Sequence, residues 1–258
     1  MDSLGDHNPL VKQIRRAVAH GTLTEDGYAV AEGPHLLEEA RKARCEIRAV
    51  IVSESAKPEV AAELSRLPEL REVSEKTFRT LCSTETPQGV LALVKPPAAD
   101  LATMLTGVAL IAILDGVQDP GNAGAIIRVA EAFGATGAIF LKGTVDPFHP
   151  RALRGAAGSS FRLPIVRGID LDSLQDLRIY AAMPQASASL EVRSADFIGA
   201  CAIAIGSEGR GIGKRLAERA VAVHIPTRKV ESLNAAVAAG ILFYEARRQR
   251  DETQAGAQ

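Results

Sequence analysis

From residue 108 onward, short apolar runs alternate with longer stretches whose apolar positions recur every three to four residues. The runs at 108–114, 138–141, 179–183, 200–205 and 221–225 hold no Asp, Glu, Lys or Arg, which predicts strands buried on both faces. Helices are predicted between them at 123–133, 152–159, 171–177 and 213–220, with a last one at 233–249. Before residue 95 the pattern is mixed in the same way. A basic amphipathic helix at 9–19 and a strand at 28–31 lead to a helix at 35–43 opened by Pro34. A strand at 49–52, a helix at 58–65 and a strand at 89–94 follow. The paired prolines of Val94-Lys-Pro-Pro-Ala-Ala-Asp100 can continue neither a helix nor a central strand. The pattern therefore predicts an α/β chain of two domains. Residues 1–95 form a small domain, 96–106 a linker, 107–250 a mostly parallel sheet with helices on both faces, and 251–258 a loose tail.

Composition narrows the class. The 258 residues are 47% hydrophobic and 24% charged, as in an ordinary globular protein, with an aliphatic core and no Trp. Cys45, Cys82 and Cys201 are widely separated and read as reduced thiols, and no His/Cys/Asp cluster predicts a metal. No apolar signal region opens the chain, and no run approaches the roughly 18 residues of a membrane span. A cytoplasmic protein without a membrane partner is the expectation. The formal net charge of −1 hides an uneven distribution. Between residues 148 and 168, Arg151, Arg154, Arg162 and Arg167 stand without any carboxylate, and Arg210, Lys214, Arg215, Arg219, Arg228 and Lys229 form further basic clusters. A local basic face suffices for phosphate contacts, although each charge taken singly reads equally as solvated surface.

Candidate chemistry gathers at three strand-to-helix junctions: Leu114-Asp-Gly-Val-Gln-Asp-Pro-Gly-Asn122 with Arg128 beyond it, Gly206-Ser-Glu208-Gly-Arg-Gly211, and Ile225-Pro to Ser232-Leu233-Asn234. One such turn means little; three in successive units predict a small-molecule site built from several loops. Asn122 suits an N-cap as well as a ligand contact. Arg128, nearly two turns into an otherwise apolar helix, reads equally as a snorkelling edge residue or a ligand-facing cation. The second junction is neither a phosphate loop nor a dinucleotide loop. Glu208 stands where the former needs its first glycine, Arg215 where it needs Ser or Thr, and Lys214 where the latter needs a third glycine. These glycines suit a neutral or cationic ligand lying close to the backbone. At the third junction, capping accounts for Ser232 and Asn234 as readily as chemistry does.

Taken together and in order, these segments resemble the SpoU (TrmH) family of RNA ribose 2′-O-methyltransferases, of the SPOUT superfamily. The resemblance rests on Asn122-Ala-Gly124-Ala-Ile-Ile-Arg128, Gly206-Ser-Glu208-Gly-Arg-Gly211, and Ile225-Pro226 with Ser232-Leu233-Asn234. In the first half, Asn8-Pro9-Leu-Val-Lys12, Val30-Ala-Glu32-Gly33-Pro34-His35 and Thr86-Pro87-Gln88-Gly89 are similar to the substrate-binding domain of many members. Thr227 and the pair Ala235-Ala236 depart from the usual Met and Val-Ser.

The resemblance implies a deep trefoil knot, an S-adenosylmethionine site without metal, and a homodimer that completes it. It assigns backbone contacts to the cofactor at Gly206, Ile225 and Leu233, with Glu208 and Gly211 in the same motif set, and catalytic roles to Arg128, Asn122, Ser232 and Asn234. Arginine resists deprotonation. Arg128 is therefore expected to grip phosphate and hydroxyl oxygens while phosphate or water takes the proton, and Asn122 to orient the pair. Arg154 is expected to touch phosphate, and Lys12, Arg15 and Arg16 to dock structured RNA. The implied reaction is ribose methylation of ribosomal RNA. The alternatives are transfer RNA as substrate, or a non-catalytic RNA-binding paralogue.

Overall fold

The computed structural model describes residues 2–56, 64, 70–186 and 188–255. The helix predicted at 58–65 lies outside them, apart from Leu64. The chain forms two compact units, Met1–Pro97 with Phe148–Arg162, and Ala98–Pro147 with Leu163–Gln258. Residues 148–162, expected in the second domain, thus belong to the first unit.

In the first unit, helix α1 (Pro9–His20) shows how local sequence sets its ends. Asn8 Oδ1 accepts from Leu10 N at 2.9 Å, Pro9 occupies the first turn, and Gly21 ends the helix at φ 63°. Val11, Ile14 and Ala17 recur on one buried face. Helix α2 (Pro34–Lys42) buries Leu36, Leu37 and Ala40 outside the core that α1 joins, whereas Phe78 of the short α3 (Glu75–Arg79) lies in that core. The sheet contains β1 (Asp2–Ser3), β2 (Ala29–Glu32), β3 (Ile47–Ser53), β4 (Leu70–Val73) and β5 (Val90–Val94), in the order β1-β4-β3-β5-β2. Strands β1, β4 and β3 run parallel, while β5 is antiparallel to both β3 and β2. Val30, Ile51, Phe78, Leu91 and Leu93 form its core with the buried face of α1. Two strands were missed: β1 is two residues long, and β4 carries Arg71 and Glu72 at its centre.

The second unit opens with α4 (Leu101–Met104), which makes part of the expected linker helical; Asp100 accepts from Thr103 N at 3.1 Å and Met104 is buried. Then come β6 (Leu110–Asp115), α5 (Pro120–Ala132) and β7 (Gly137–Phe140). Helix α6 (Pro150–Ala156) lies in the first unit, and β8 (Ile165–Arg167), β9 (Arg178–Ala182), β10 (Leu190–Glu191) and β11 (Cys201–Gly206) follow. Helix α7 (Lys214–Ala217), β12 (Val221–His224) and α8 (Ala235–Ala255) close the chain. The seven strands run parallel in the order β10-β12-β9-β11-β6-β7-β8. Ile111, Ile113, Ala202 and Ala204 face a core with Leu171, Leu174 and Leu216, while α5 and α8 pack together on the sheet. This is the parallel sheet with helices on both faces that the apolar runs predict.

Several boundaries differ for local reasons. A 3₁₀ turn at Leu171–Leu174 replaces the helix predicted at 171–177, and 213–220 shortens to α7. Helix α8 runs on through Ala255, so most of the expected loose tail is helical. Arg247 pairs with Asp251 at 2.8 Å and Arg248 with Glu252 at 2.6 Å, each one turn on. Arg250 reaches back to the N-terminal ends of β6 and β11. It donates to the carbonyls of Phe197, Val108, Ala109 and Gly199 at 2.8, 3.0, 3.1 and 2.8 Å.

Candidate functional site

Because every strand of the second sheet runs the same way, β6, β9, β11 and β12 all end on one edge. Backbone groups and loops are free to meet a ligand there. That edge carries a cavity of about 650 Å³, walled by Met183 after β9, the loop 206–211, Ile225 after β12, and Ser232, Leu233 and Asn234 before α8. Glu208 and Glu231 also line it, as does Arg210.

The loop after β11 is held close by the absence of side chains. A Cβ on Gly206 would lie 2.3 Å from the carbonyl carbon of Gly211 and 2.5 Å from Ile212 N. That closeness lets Ser207 and Gly211 pair through backbone bonds of 3.1 and 2.9 Å, with Gly211 at φ 65°. Ser207 Oγ accepts from Arg210 N at 3.1 Å, and Asp115 Oδ2, at the end of β6, accepts from Gly213 N at 2.7 Å. The loop is therefore closed on itself and tied at its far side to the end of β6.

Asn122 is not the cap of its helix. Asp119 caps α5, its Oδ1 accepting from Asn122 N at 2.7 Å, which leaves the Asn122 side chain for other work. Its Nδ2 donates to Glu208 Oε1 at 2.5 Å, and its Oδ1 accepts from Asn234 Nδ2 at 3.0 Å. Asn234 does cap its helix, accepting from Ala236 N and Val237 N at 3.0 and 3.2 Å, while keeping that second bond to Asn122. Ser232 is exposed on the cavity wall and makes no hydrogen bond among the described residues. Residues from all three motifs are thus brought together, whereas Arg128 is not. It is exposed, makes no ion pair among the described residues, and does not line the cavity. It stands six positions past Asn122, about 9 Å along the helix and about a third of a turn around it.

The residues expected to touch RNA in the first unit are mostly occupied. Arg15 pairs with Asp6 at 2.6 Å and donates to Thr80, and Arg16 pairs with Glu25. Lys12 is exposed and has no ion pair among the described residues. Arg154 is no free phosphate-gripping cation either. Its Nη1 lies 2.9 Å from Glu32 Oε2 and 2.7 Å from Ser83 Oγ, and the Glu32 side chain is 4% exposed. Burial, and next the nearby Glu32 carboxylate, push the Cys82 thiol up to about 12. Among the described residues no group of His, Cys, Asp or Glu could hold a metal ion, and no helix is long and apolar enough to cross a membrane.

Sequence reasoning missed Asp115 and Asp119. Asp119 was legible, since an acid immediately before a proline at the first helical position is a capping signature. Asp115, a lone acid ending an apolar strand, gave a weaker signal.

A parallel sheet with a Gly-walled cavity across the ends of its middle strands defines a small-molecule-binding α/β protein, and the comparisons specify which. Residues 109–244 match the sequence model of the SpoU rRNA Methylase family, and residues 8–92 that of the MRM3-like substrate binding domain. The chain belongs to the SpoU rRNA methylase family. It is 32% identical over 249 residues to the 23S rRNA (guanosine(2553)-2′-O)-methyltransferase RlmP of Bacillus subtilis, across 93% of this chain and 96% of that one. The crystal structure of an AdoMet-bound rRNA methyltransferase from Sinorhizobium meliloti superposes with a TM-score of 0.81 at 31% identity, covering 96% of this chain and 97% of the other. The SpoU methyltransferase AviRb from Streptomyces viridochromogenes, in complex with AdoMet, gives 0.82 at 26% identity over 95% and 99%.

Proposed function

We propose that this protein transfers a methyl group from S-adenosylmethionine to a ribose 2′-hydroxyl of ribosomal RNA. The observation that carries the reading is the meeting of three distant segments at one cavity, with Asn122 bonded to both Glu208 and Asn234. The residues suit this donor. A volume of about 650 Å³ is that of a small-molecule site, and the wall pairs glycine backbone with Met183, Ile225 and Leu233. Glu208 and Glu231 favour a sulfonium over a pyrophosphate.

When bound, the donor supplies an activated methyl carbon. The protein's share is to hold the sugar oxygen in line with it and to stabilise that oxygen as its proton leaves. Asn122 and Asn234 each keep an unused N–H for such an oxygen. Arg128 holds the neighbouring phosphate and the hydroxyl as a permanent cation, and the proton goes to a phosphate oxygen or a water. Lys12 gives α1 a phosphate contact.

A second copy of the chain belongs to the reading. Val237, Ile241 and Tyr244 lie along one exposed face of α8, too apolar a stripe to leave in water. Pairing through this face supplies Arg128 of one protomer to the cavity of its partner. The family's knotted threading is part of the same reading; so is a cytoplasmic setting.

The test is transfer of labelled methyl to ribosomal and transfer RNA, with S-adenosylhomocysteine binding measured alongside. Arg128→Ala is expected to abolish transfer while binding S-adenosylhomocysteine as the parent does; equal turnover by the two refutes the role of Arg128. Label on transfer RNA alone reassigns the substrate, and binding without transfer identifies a non-catalytic relative. A parent protein that binds neither donor nor product overturns the proposal.

A further inference from the structure

Asn122, Asn234 and Glu208 sit on α5, at the start of α8 and in the loop after β11, and are joined end to end. The N–H groups of Ala236 and Val237 donate to Asn234 Oδ1, Asn234 Nδ2 donates to Asn122 Oδ1, and Asn122 Nδ2 donates to Glu208 Oε1. A side-chain amide can turn over, exchanging its oxygen for its NH₂ with little change of shape. Both ends of this line forbid that. Helix N–H groups accept nothing, so Asn234 must face α8 with its oxygen. A carboxylate donates nothing, so Asn122 must face Glu208 with its NH₂.

Resting on the methyltransferase reading above, we propose that Glu208 is a positioning residue that holds Asn122 in the one sense that matches Asn234, whose own sense α8 sets. With that sense set, Asn234 Oδ1 is filled by two N–H groups, and each amide has one N–H left to donate. The pair then meets the RNA as hydrogen-bond donors, which stabilise an oxygen losing its proton but do not take the proton. Glu208 acts on the sugar through Asn122 and not by touching it.

Four variants test this: E208Q, E208A, N122D and the double variant N122D/E208Q. Each is measured for turnover, for binding of S-adenosylhomocysteine and for melting temperature across pH. In E208Q the amide oxygen still accepts from Asn122, and turnover is expected to fall by no more than about tenfold, the excess of a charge-assisted bond. E208A leaves Asn122 held by Asn234 alone and able to swing out of place, and turnover is expected to fall by more than about a hundredfold. N122D sets two carboxylates face to face. One must take up a proton, so its melting temperature should approach the parent's between about pH 8 and about pH 5. In the double variant the glutamine NH₂ donates to the new carboxylate. That pH dependence should vanish and turnover rise at least about tenfold above N122D, the margin by which the restored bond is worth more than an unmet one. The other charged groups around the line are Asp119 on α5, Asp115 at the end of β6, and Arg210 and Glu231 on the cavity wall, and all are common to the four proteins.

The proposal is overturned if E208Q is as inactive as E208A while both melt and bind as the parent does, because the carboxylate then acts on the reactants itself. It is equally overturned if N122D melts without pH dependence, or if the double variant is no better than N122D. The melting measurements need neither RNA nor donor. A parent that transfers no methyl would therefore sink the methyltransferase reading and leave this one open to test.

Discussion

Gly206→Ala offers the sharpest test of how the cavity is built. The added Cβ would sit 2.3 Å from the carbonyl carbon of Gly211, 2.5 Å from its oxygen and 2.5 Å from Ile212 N, where ordinary contact is 3.4–4 Å. All three atoms are backbone, so no side-chain rotation relieves the clash. The loop must move by about 1 Å, or the end of β11 must. Overpacking of this kind costs about 1–3 kcal/mol, roughly 2–12 °C in melting temperature for a domain of this size. The larger effect falls on the site, because the same loop carries Glu208. A displacement of about 1 Å can cost about a hundredfold in rate. The assays are scanning fluorimetry, and calorimetric titration with S-adenosylhomocysteine, where affinity should fall by more than about tenfold, the value of about 1.4 kcal/mol. Gly209→Ala is the control, since a Cβ there meets nothing within 4 Å and the melting temperature should not change. Should Gly206→Ala melt with the parent and bind within about twofold of it, less than about 0.5 kcal/mol, the close approach of the loop is not what shapes the cavity.

Other consequences are testable in the same way. Arg250→Ala removes donors to four backbone carbonyls at the base of β6 and β11 and is expected to destabilise by about 3 kcal/mol in chemical denaturation. Arg154→Ala leaves the buried Glu32 without its cation, held among the described residues only by Ser83 N, and should cost roughly 1–3 kcal/mol in thermal unfolding; the salt slope of RNA binding should stay as it was, whereas loss of a phosphate contact would lower it by about one. Glu75 is held at about 2 by hydrogen bonds from Ser55, Arg79 and Ser53. A folded value below the ordinary 4.5 gives stability that is complete above 4.5 and lost as pH falls toward 2. Glu75→Gln should therefore lower the melting temperature at neutral pH, and its difference from the parent should shrink as pH falls from 4.5 toward 2.

The sequence made the scaffold of the second unit legible because parallel strands buried on both faces read as unbroken apolar runs, as at 108–114 and 200–205. Where burial is partial the signal fades. Strand β4 carries Arg71 and Glu72, and β10 is two residues of an edge. At the site, residue types sufficed to group Gly206, Glu208, Ser232 and Asn234. The acid before Pro120 marks Asp119 as the cap of α5, but residue types alone do not show that the Asn122 side chain, so released, would meet Glu208 and Asn234. Nor could charge tell a free arginine from a paired one. Arg154 and Arg16 looked available until their partners, Glu32 and Glu25, came into contact from far away in sequence or across a turn.

The strand order carries a consequence for biosynthesis. The middle of the larger sheet is β11, whose neighbour β6 leaves the ribosome some ninety residues earlier, and β12 arrives later still. During translation the first strands wait with an empty slot and exposed aliphatic flanks, and long-range pairing of this kind is slow to form. Ser232 and Asn234 emerge after every strand has been made, so a nascent chain has no competent site until its sheet can close. A prematurely terminated product would therefore be both inactive and sticky, which marks it for disposal by the cell's proteases.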